Sequence, residues 1–202
     1  MSNLSPDFHH HDWQQIKKET SFDGFFKVST LTLKHRLFRG GWSQEILRER
    51  FDRGPAVGVL MHDPIRDKIV LTQQFRVGAI EEVSPWVFEV VAGMIEKGET
   101  PESVAIREAK EESGADIQAL TPICQYLVSP GGTDEKMHMF YTQVDADTIE
   151  GIHGLDSEAE DIKIHKIPTQ EAFACVRDGR INNAATVIAL QWLELQMIKG
   201  TL

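Results

Sequence analysis

The stretch that most constrains the fold runs from Gly93 to Ala115, GMIEKGETPESVAIREAKEESGA. It reads as a strand end, a glycine loop, a capped helix and a glycine stop. Thr100 suits the N-cap, and Pro101 suits the first helical position, where an N–H has no partner anyway. Gly114 suits the left-handed residue that closes a helix. A helix is therefore expected over 101–113. At about 100° per residue, Glu108, Glu111 and Glu112 share one face, with Cβ atoms about 5–6 Å apart. A charge run is most often a solvated face. Two features argue against that here. Like charges at i,i+4 cost about 0.2–0.5 kcal/mol per pair, and these carboxylates sit in the half where the helix dipole is negative. Clustered carboxylates beside a loop are also what a hard divalent cation requires, since Mg²⁺ takes oxygen ligands and bridges carboxylates to phosphates. Arg107, at i,i+4 to Glu111 and within reach of Glu99, would hold them in place.

Before this segment, Phe25 to Phe38 and Trp42 to Arg50 favour strands around an Arg39-Gly40-Gly41 turn, and Gly54-Pro55 marks a boundary. A few strands alone are marginal in water. The N-terminal β unit, 1–53, must therefore pack on the main domain, 54–202, or on a second chain. In that domain Ala56–Met61 and Lys68–Gln74 form a hairpin signal around Asp63-Pro64-Ile65-Arg66-Asp67. Strands are expected at Trp86–Val91, Pro122–Val128, Met137–Val144 and Ile162–Ile167. Thr169 is expected to cap a helix ending near Gly179, and a last helix runs from about Asn183 to Lys199. Strands with interspersed helices give an α+β class, a mixed sheet covered by helices.

The 202 residues carry 21 basic and 31 acidic side chains, a net charge of −10. Such a surface repels phosphate backbones and anionic lipid, which disfavours general nucleic-acid or membrane binding. An anionic substrate would need a cation or a local arginine cluster. Cys124 and Cys175 lack metal-ligand spacing and read as reduced thiols of a cytoplasmic protein. No signal peptide and no run of about 18 apolar residues is seen. His9, His10 and His11 make a weak metal site and read as a short disordered tail.

Gly93, Glu99, Arg107, Glu108, Glu111, Glu112 and Gly114, with Ala109 and Ala115 at the aliphatic positions, resemble the Nudix box, G-x5-E-x7-R-E-U-x-E-E-x-G-U. At about 6–7% per residue type, agreement at all the fixed positions arises by chance on the order of 10⁻⁹ per window. Phe25-Phe26, Ser129-Pro130-Gly131-Gly132-Thr133, the loop Gly151–Leu155 with Glu158, Glu160 and Asp161, and Asn182-Asn183-Ala184-Ala185 are similar to the bacterial ADP-ribose pyrophosphatase branch of that family. The resemblance implies the Nudix fold, an α/β/α sandwich around a mixed sheet, plus a small N-terminal antiparallel β unit exchanged in a homodimer. It implies hydrolysis of ADP-ribose to AMP and ribose 5-phosphate with two or three Mg²⁺, or Mn²⁺, ions.

The same resemblance assigns residues. Glu108, Glu111, Glu112, Glu160 and the carbonyl of Ala92 would hold metal, with Gly93, Glu99 and Arg107 supporting the metal loop. Glu158 would be the general base or water-orienting group on a mobile loop, with Glu111 also at the chemistry. Arg48, Glu49, Arg53 and Arg76 would contact substrate, Phe25 and Phe26 would stack on the base, and Met94, Ser129, Pro130, Gly131 and Glu135 would line the pocket. The segment between Arg76 and Trp86, with Glu81 and Glu82, departs from the bacterial pattern. Two other readings stay open: a hydrolase of another nucleotide sugar, such as GDP-mannose or ADP-glucose, and a non-catalytic ADP-ribose sensor. Sensors usually lose box glutamates, and this chain keeps them.

Overall fold

The computed structural model describes residues 4–202, Glu158 by its backbone alone. The chain forms two compact units, Met1–Gly54 with Leu127–Glu135, and Pro55–Tyr126 with Lys136–Leu202.

The first unit is a three-stranded antiparallel sheet in chain order, β1 (Trp13–Asp23), β2 (Lys27–His35) and β3 (Ile46–Asp52). The sequence reading missed β1. All eleven of its residues are exposed, so no alternation of polar and apolar side chains marks it. Its ladder holds it instead, from Trp13↔His35 to Asp23↔Lys27, with irregularities at Gln15/Lys17 and Thr20/Phe22. Phe25 and Phe26, expected inside a strand, lie in the β1–β2 turn, where the Gly24 N–H donates to the Phe26 carbonyl. The His run is not a featureless tail: His10–Asp12 form a 3₁₀ turn whose Asp12 carboxylate accepts the His9 N–H. Segment 127–135 joins this sheet through Phe51, whose N–H donates to the Gly132 carbonyl at 2.8 Å.

The second unit is built on a mixed sheet. Its strands are β4 (Pro55–Asp63), β5 (Lys68–Phe75), β6 (Trp86–Glu89), β7 (Val91–Met94), β8 (Thr121–Leu127), β9 (Lys136–Gln143), β10 (Ile152–His153) and β11 (Ile162–Pro168). Their order is β10-β11-β5-β4-β9-β8, with β6 paired to β5 and β7 to β4. The pair β4–β9 is parallel, whereas β4–β5, β4–β7, β5–β6 and β5–β11 are antiparallel. Helix α1 (Pro101–Ser113) covers one face, and α2 (Thr169–Arg177) and α3 (Ala184–Lys199) cover the other. Central β4 is therefore buried on both sides and reads as a continuous apolar run. Its Val57, Val59 and Met61 pack in the layer of Val104, Ala105 and Ala109. Its Ala56 and Leu60 pack in the layer of Ala172, Phe173, Leu190 and Leu193. This is the expected sandwich.

Two elements differ from expectation. The single strand at 86–91 is two, because β6 pairs with β5 and β7 with β4. Val90 sits at the change of partner, and its N–H leaves the ladder to donate to Thr186 Oγ1 in α3 at 3.0 Å. Thr169 does not cap α2; it is the first helical residue, and Pro168 precedes it. The Thr169 N–H donates to the Asp67 carbonyl, so backbone ties that corner, and α2 ends at Arg177.

Candidate active site

Helix α1 begins and ends as its residues dictate. Thr100 Oγ1 accepts the Ser103 N–H, Pro101 opens the helix, and Gly114 closes it at φ 72°. Small residues let it lie close to β7: Ala105 and Ala109 are fully buried against the sheet. The closest approach is at Gly93, where a Cβ would stand 1.9 Å from Glu108 Oε1. Gly93 is thus the notch that seats the Glu108 carboxylate. One turn on, Glu112 is 2% exposed, and its Oε2 accepts the Ala92 N–H at 3.2 Å. The strand carrying Ala92 and the helix carrying the glutamates meet at this junction.

Arg107 ties the acidic face together. Its Nη1 donates to Glu108 Oε1 at 2.8 Å and to Glu111 Oε2 at 3.0 Å. Its Nε lies 3.4 Å from Glu99 Oε1, and Glu99 Oε2 accepts the Glu96 N–H at the loop. One guanidinium does not neutralise this charge. Burial pushes the Glu112 carboxyl up to about 8, against the Ala92 hydrogen bond and the Arg76 charge and reinforced by Glu108 and Glu160. Burial likewise pushes Glu108 to about 7, against the pull of Arg107 and with Glu111 and Glu160 adding repulsion. Buried oxygen donors with unmatched negative charge are the donor set a hard divalent cation fits. Among the described residues no three His, Cys, Asp or Glu side chains converge ready-made on one point.

Glu160 adds its field to both carboxyls from the loop after β10. Its Oε2 accepts the Leu155 N–H at 3.3 Å, closing the base of the 155–160 loop. Gly154, at φ 105°, leaves no room for a Cβ beside Glu160, 2.6 Å from its own Cβ. The Glu158 side chain lies outside the described residues. Met94 ends β7.

Arg76 is not a loose surface arginine. Its Nε donates to Glu89 Oε2 at 2.7 Å, and its N–H donates to the Pro85 carbonyl, clasping the divergent 76–85 loop. Glu89, which sequence reasoning did not single out, is buried at 7% exposure. Its signal was available: it is the charged residue in the apolar run Trp86–Val91.

The remaining expected residues belong to the first unit. Arg53 lies over the Phe26 ring at 5.3 Å and 3.7 Å from Glu135 Oε1. Phe26 also packs edge-on against Phe51, while Phe25 is 92% exposed. Ser129, Pro130 and Gly131 form a turn in which the Gly132 and Thr133 N–H groups donate to the Ser129 carbonyl. Arg48 and Glu49, adjacent in β3, point to opposite faces of that sheet.

Known proteins show the same arrangement of sequence. A NUDIX domain matches residues 52–195. The chain is 46% identical over 194 residues to the ADP-ribose pyrophosphatase of Escherichia coli (strain K12), covering 96% of this chain and 93% of that protein. It is 41% identical over 192 residues to the ADP-ribose pyrophosphatase of Haemophilus influenzae, covering 93% of this chain and 88% of that protein. A solved ADP compounds hydrolase superposes with a TM-score of 0.71 at 22% identity, over 95% of this chain and 97% of that one, a likeness of fold. With a complete box seated on the strand–helix junction and these matches along most of its length, the chain belongs to the Nudix family.

Proposed function

We propose that this protein hydrolyses the pyrophosphate of ADP-ribose to AMP and ribose 5-phosphate. The observation that carries the reading is the buried Glu112 beside the half-buried Glu108 seated at Gly93, in a chain 46% identical to an ADP-ribose pyrophosphatase over 194 residues. Glu108, Glu111, Glu112, Glu160 and the Ala92 carbonyl would hold two or three Mg²⁺ or Mn²⁺ ions. When bound, such ions polarise phosphoryl oxygens and lower the pKa of a coordinated water. The protein's own part is positional. Arg107 fixes the carboxylates, and Gly93 sets how closely Glu108 approaches the strand. Glu158 orients or deprotonates the attacking water. Arg76 meets the pyrophosphate charge, as do Arg48 and Arg53 with Glu49 beside them. Phe25 and Phe26 stack on adenine, a contact worth about 1–3 kcal/mol. Met94, Ser129, Pro130, Gly131 and Glu135 complete the pocket.

The working form is a homodimer that exchanges its N-terminal β unit, residues 1–53. Support comes from β1, whose Trp13, Ile16 and Phe22 are all exposed. A cytoplasmic location accords with two free cysteines, Cys124 and Cys175. No helix among the described residues is long and apolar enough to cross a membrane.

The test is product analysis with Mg²⁺ and ADP-ribose beside ADP-glucose, GDP-mannose and NADH, with Glu112→Gln as control. Metal-dependent AMP and ribose 5-phosphate, lost in the variant, is expected. Turnover of another substrate alone would discard the ADP-ribose assignment. Tight binding without cleavage would mark a sensor.

A further inference from the structure

Glu89 is a buried carboxylate with both oxygens engaged. Oε2 accepts Arg76 Nε–H at 2.7 Å, and Oε1 accepts Asn183 Nδ2–H at 2.8 Å. Asn183 is itself locked, because it is the N-cap of α3: its Oδ1 accepts the Thr186 N–H at 3.2 Å. The Thr186 hydroxyl in turn receives the Val90 N–H, and the Glu89 carbonyl receives the Thr72 hydroxyl. The carboxylate is thus held by Arg76 and the N-cap of α3, while β5 and α3 hold the backbone on either side of it.

Stability alone does not call for this arrangement, since an apolar residue generally serves a buried site as well as an ion pair does. The geometry has a different consequence. Glu89 takes Arg76 by Nε, among the described residues the Nη groups make no hydrogen bond, and the Arg76 charge also reaches Glu112. The Arg76 side chain is 42% exposed. A guanidinium held at Nε keeps its two Nη groups as a fork, which suits two oxygens of a phosphate. Glu89 stands three residues before Ala92, whose N–H meets Glu112, so the clamp and the metal carboxylates hang on one short segment.

We propose that Glu89 and Asn183 are positioning residues that hold Arg76 so that its two Nη groups meet the substrate pyrophosphate. This rests on the reading that Arg76 contacts ADP-ribose. The N-cap of a helix on the far layer then sets substrate affinity.

Steady-state kinetics on the full chain with Mg²⁺ and ADP-ribose test it, using Glu89→Gln, Asn183→Ser, Arg76→Ala and the two doubles with Arg76→Ala. The amide introduced by Glu89→Gln has one accepting oxygen in place of two and cannot serve both donors as the carboxylate does. Asn183→Ser keeps a capping oxygen and removes only the Nδ2 donor, so it carries the test if the first variant folds poorly. Each of the two is expected to raise KM about tenfold while kcat stays within about threefold. Added to Arg76→Ala, neither should raise KM further, because both act through that side chain. Unchanged KM in Glu89→Gln and Asn183→Ser, or full additivity in the doubles, overturns the proposal while the wild type remains active. A wild type that fails to turn over ADP-ribose overturns the functional reading and the proposal with it.

Discussion

Gly93 shows how much one missing side chain can decide. A Cβ there collides with the Oε1, Cδ and Cγ atoms of Glu108, the end of a side chain that can swing away. Gly93→Ala should therefore fold with a melting temperature within about 4 °C of wild type. Its Mg²⁺ affinity should fall about 10–100-fold, measured by titration calorimetry. The glutamates it serves also set a pH dependence. Glu112 and Glu108 titrate at about 8 and about 7 when folded, and at about 4.3 when unfolded. Between those values the folded state binds more protons than the unfolded. The contribution of these groups to metal-free stability thus falls as pH rises from about 4 through 8. Metal favours the deprotonated carboxylates, so it should restore more stability at the upper end of that window. Thermal melts between pH 5 and 9, with EDTA and with Mg²⁺, should diverge as pH rises; parallel curves would sink this account.

At the scale of elements, α1 was legible because its signals are local: Thr100, Pro101 and Gly114 each act on their own turn. Helix α3 was legible for the same reason, with Asn183 capping and Gly200 closing at φ 65°. The split of the 86–91 strand was not legible. Trp86 to Val91 is uniformly strand-favouring, and the break at Val90 comes from a change of neighbour that only the sheet defines. That break leaves one buried N–H for Thr186 to accept. Thr186→Val, nearly equal in shape, orphans it and should cost about 1–3 kcal/mol in denaturant unfolding. A loss below about 0.5 kcal/mol would mean that the N–H finds another partner. Strand β1 escaped for the opposite reason: both its faces are exposed, so burial wrote no pattern into it.

For the whole molecule, the expected substrate contacts divide between two units, with Arg76 in the second and Phe25, Phe26, Arg48 and Arg53 in the first. If the first unit is exchanged between protomers, an Arg53→Ala chain and a Glu112→Gln chain should complement each other. Random reassociation of the two inactive variants should recover about a quarter of wild-type activity, since half the dimers are mixed and each carries one intact site. No recovery, with mixed dimers verified by tagged pull-down, would show that each chain builds its site alone.

The sequence by itself determined helix α1, its caps, the acidic face and the family, because these rest on spacing within some twenty residues of chain and on turn-by-turn geometry. Only the tertiary structure decided what surrounds them. It buried Glu108 and Glu112 deeply enough to raise their pKa values. It also brought Glu89 to Asn183 across 94 residues of sequence. Burial and long-range hydrogen bonding depend on which layers meet, and no local pattern records that.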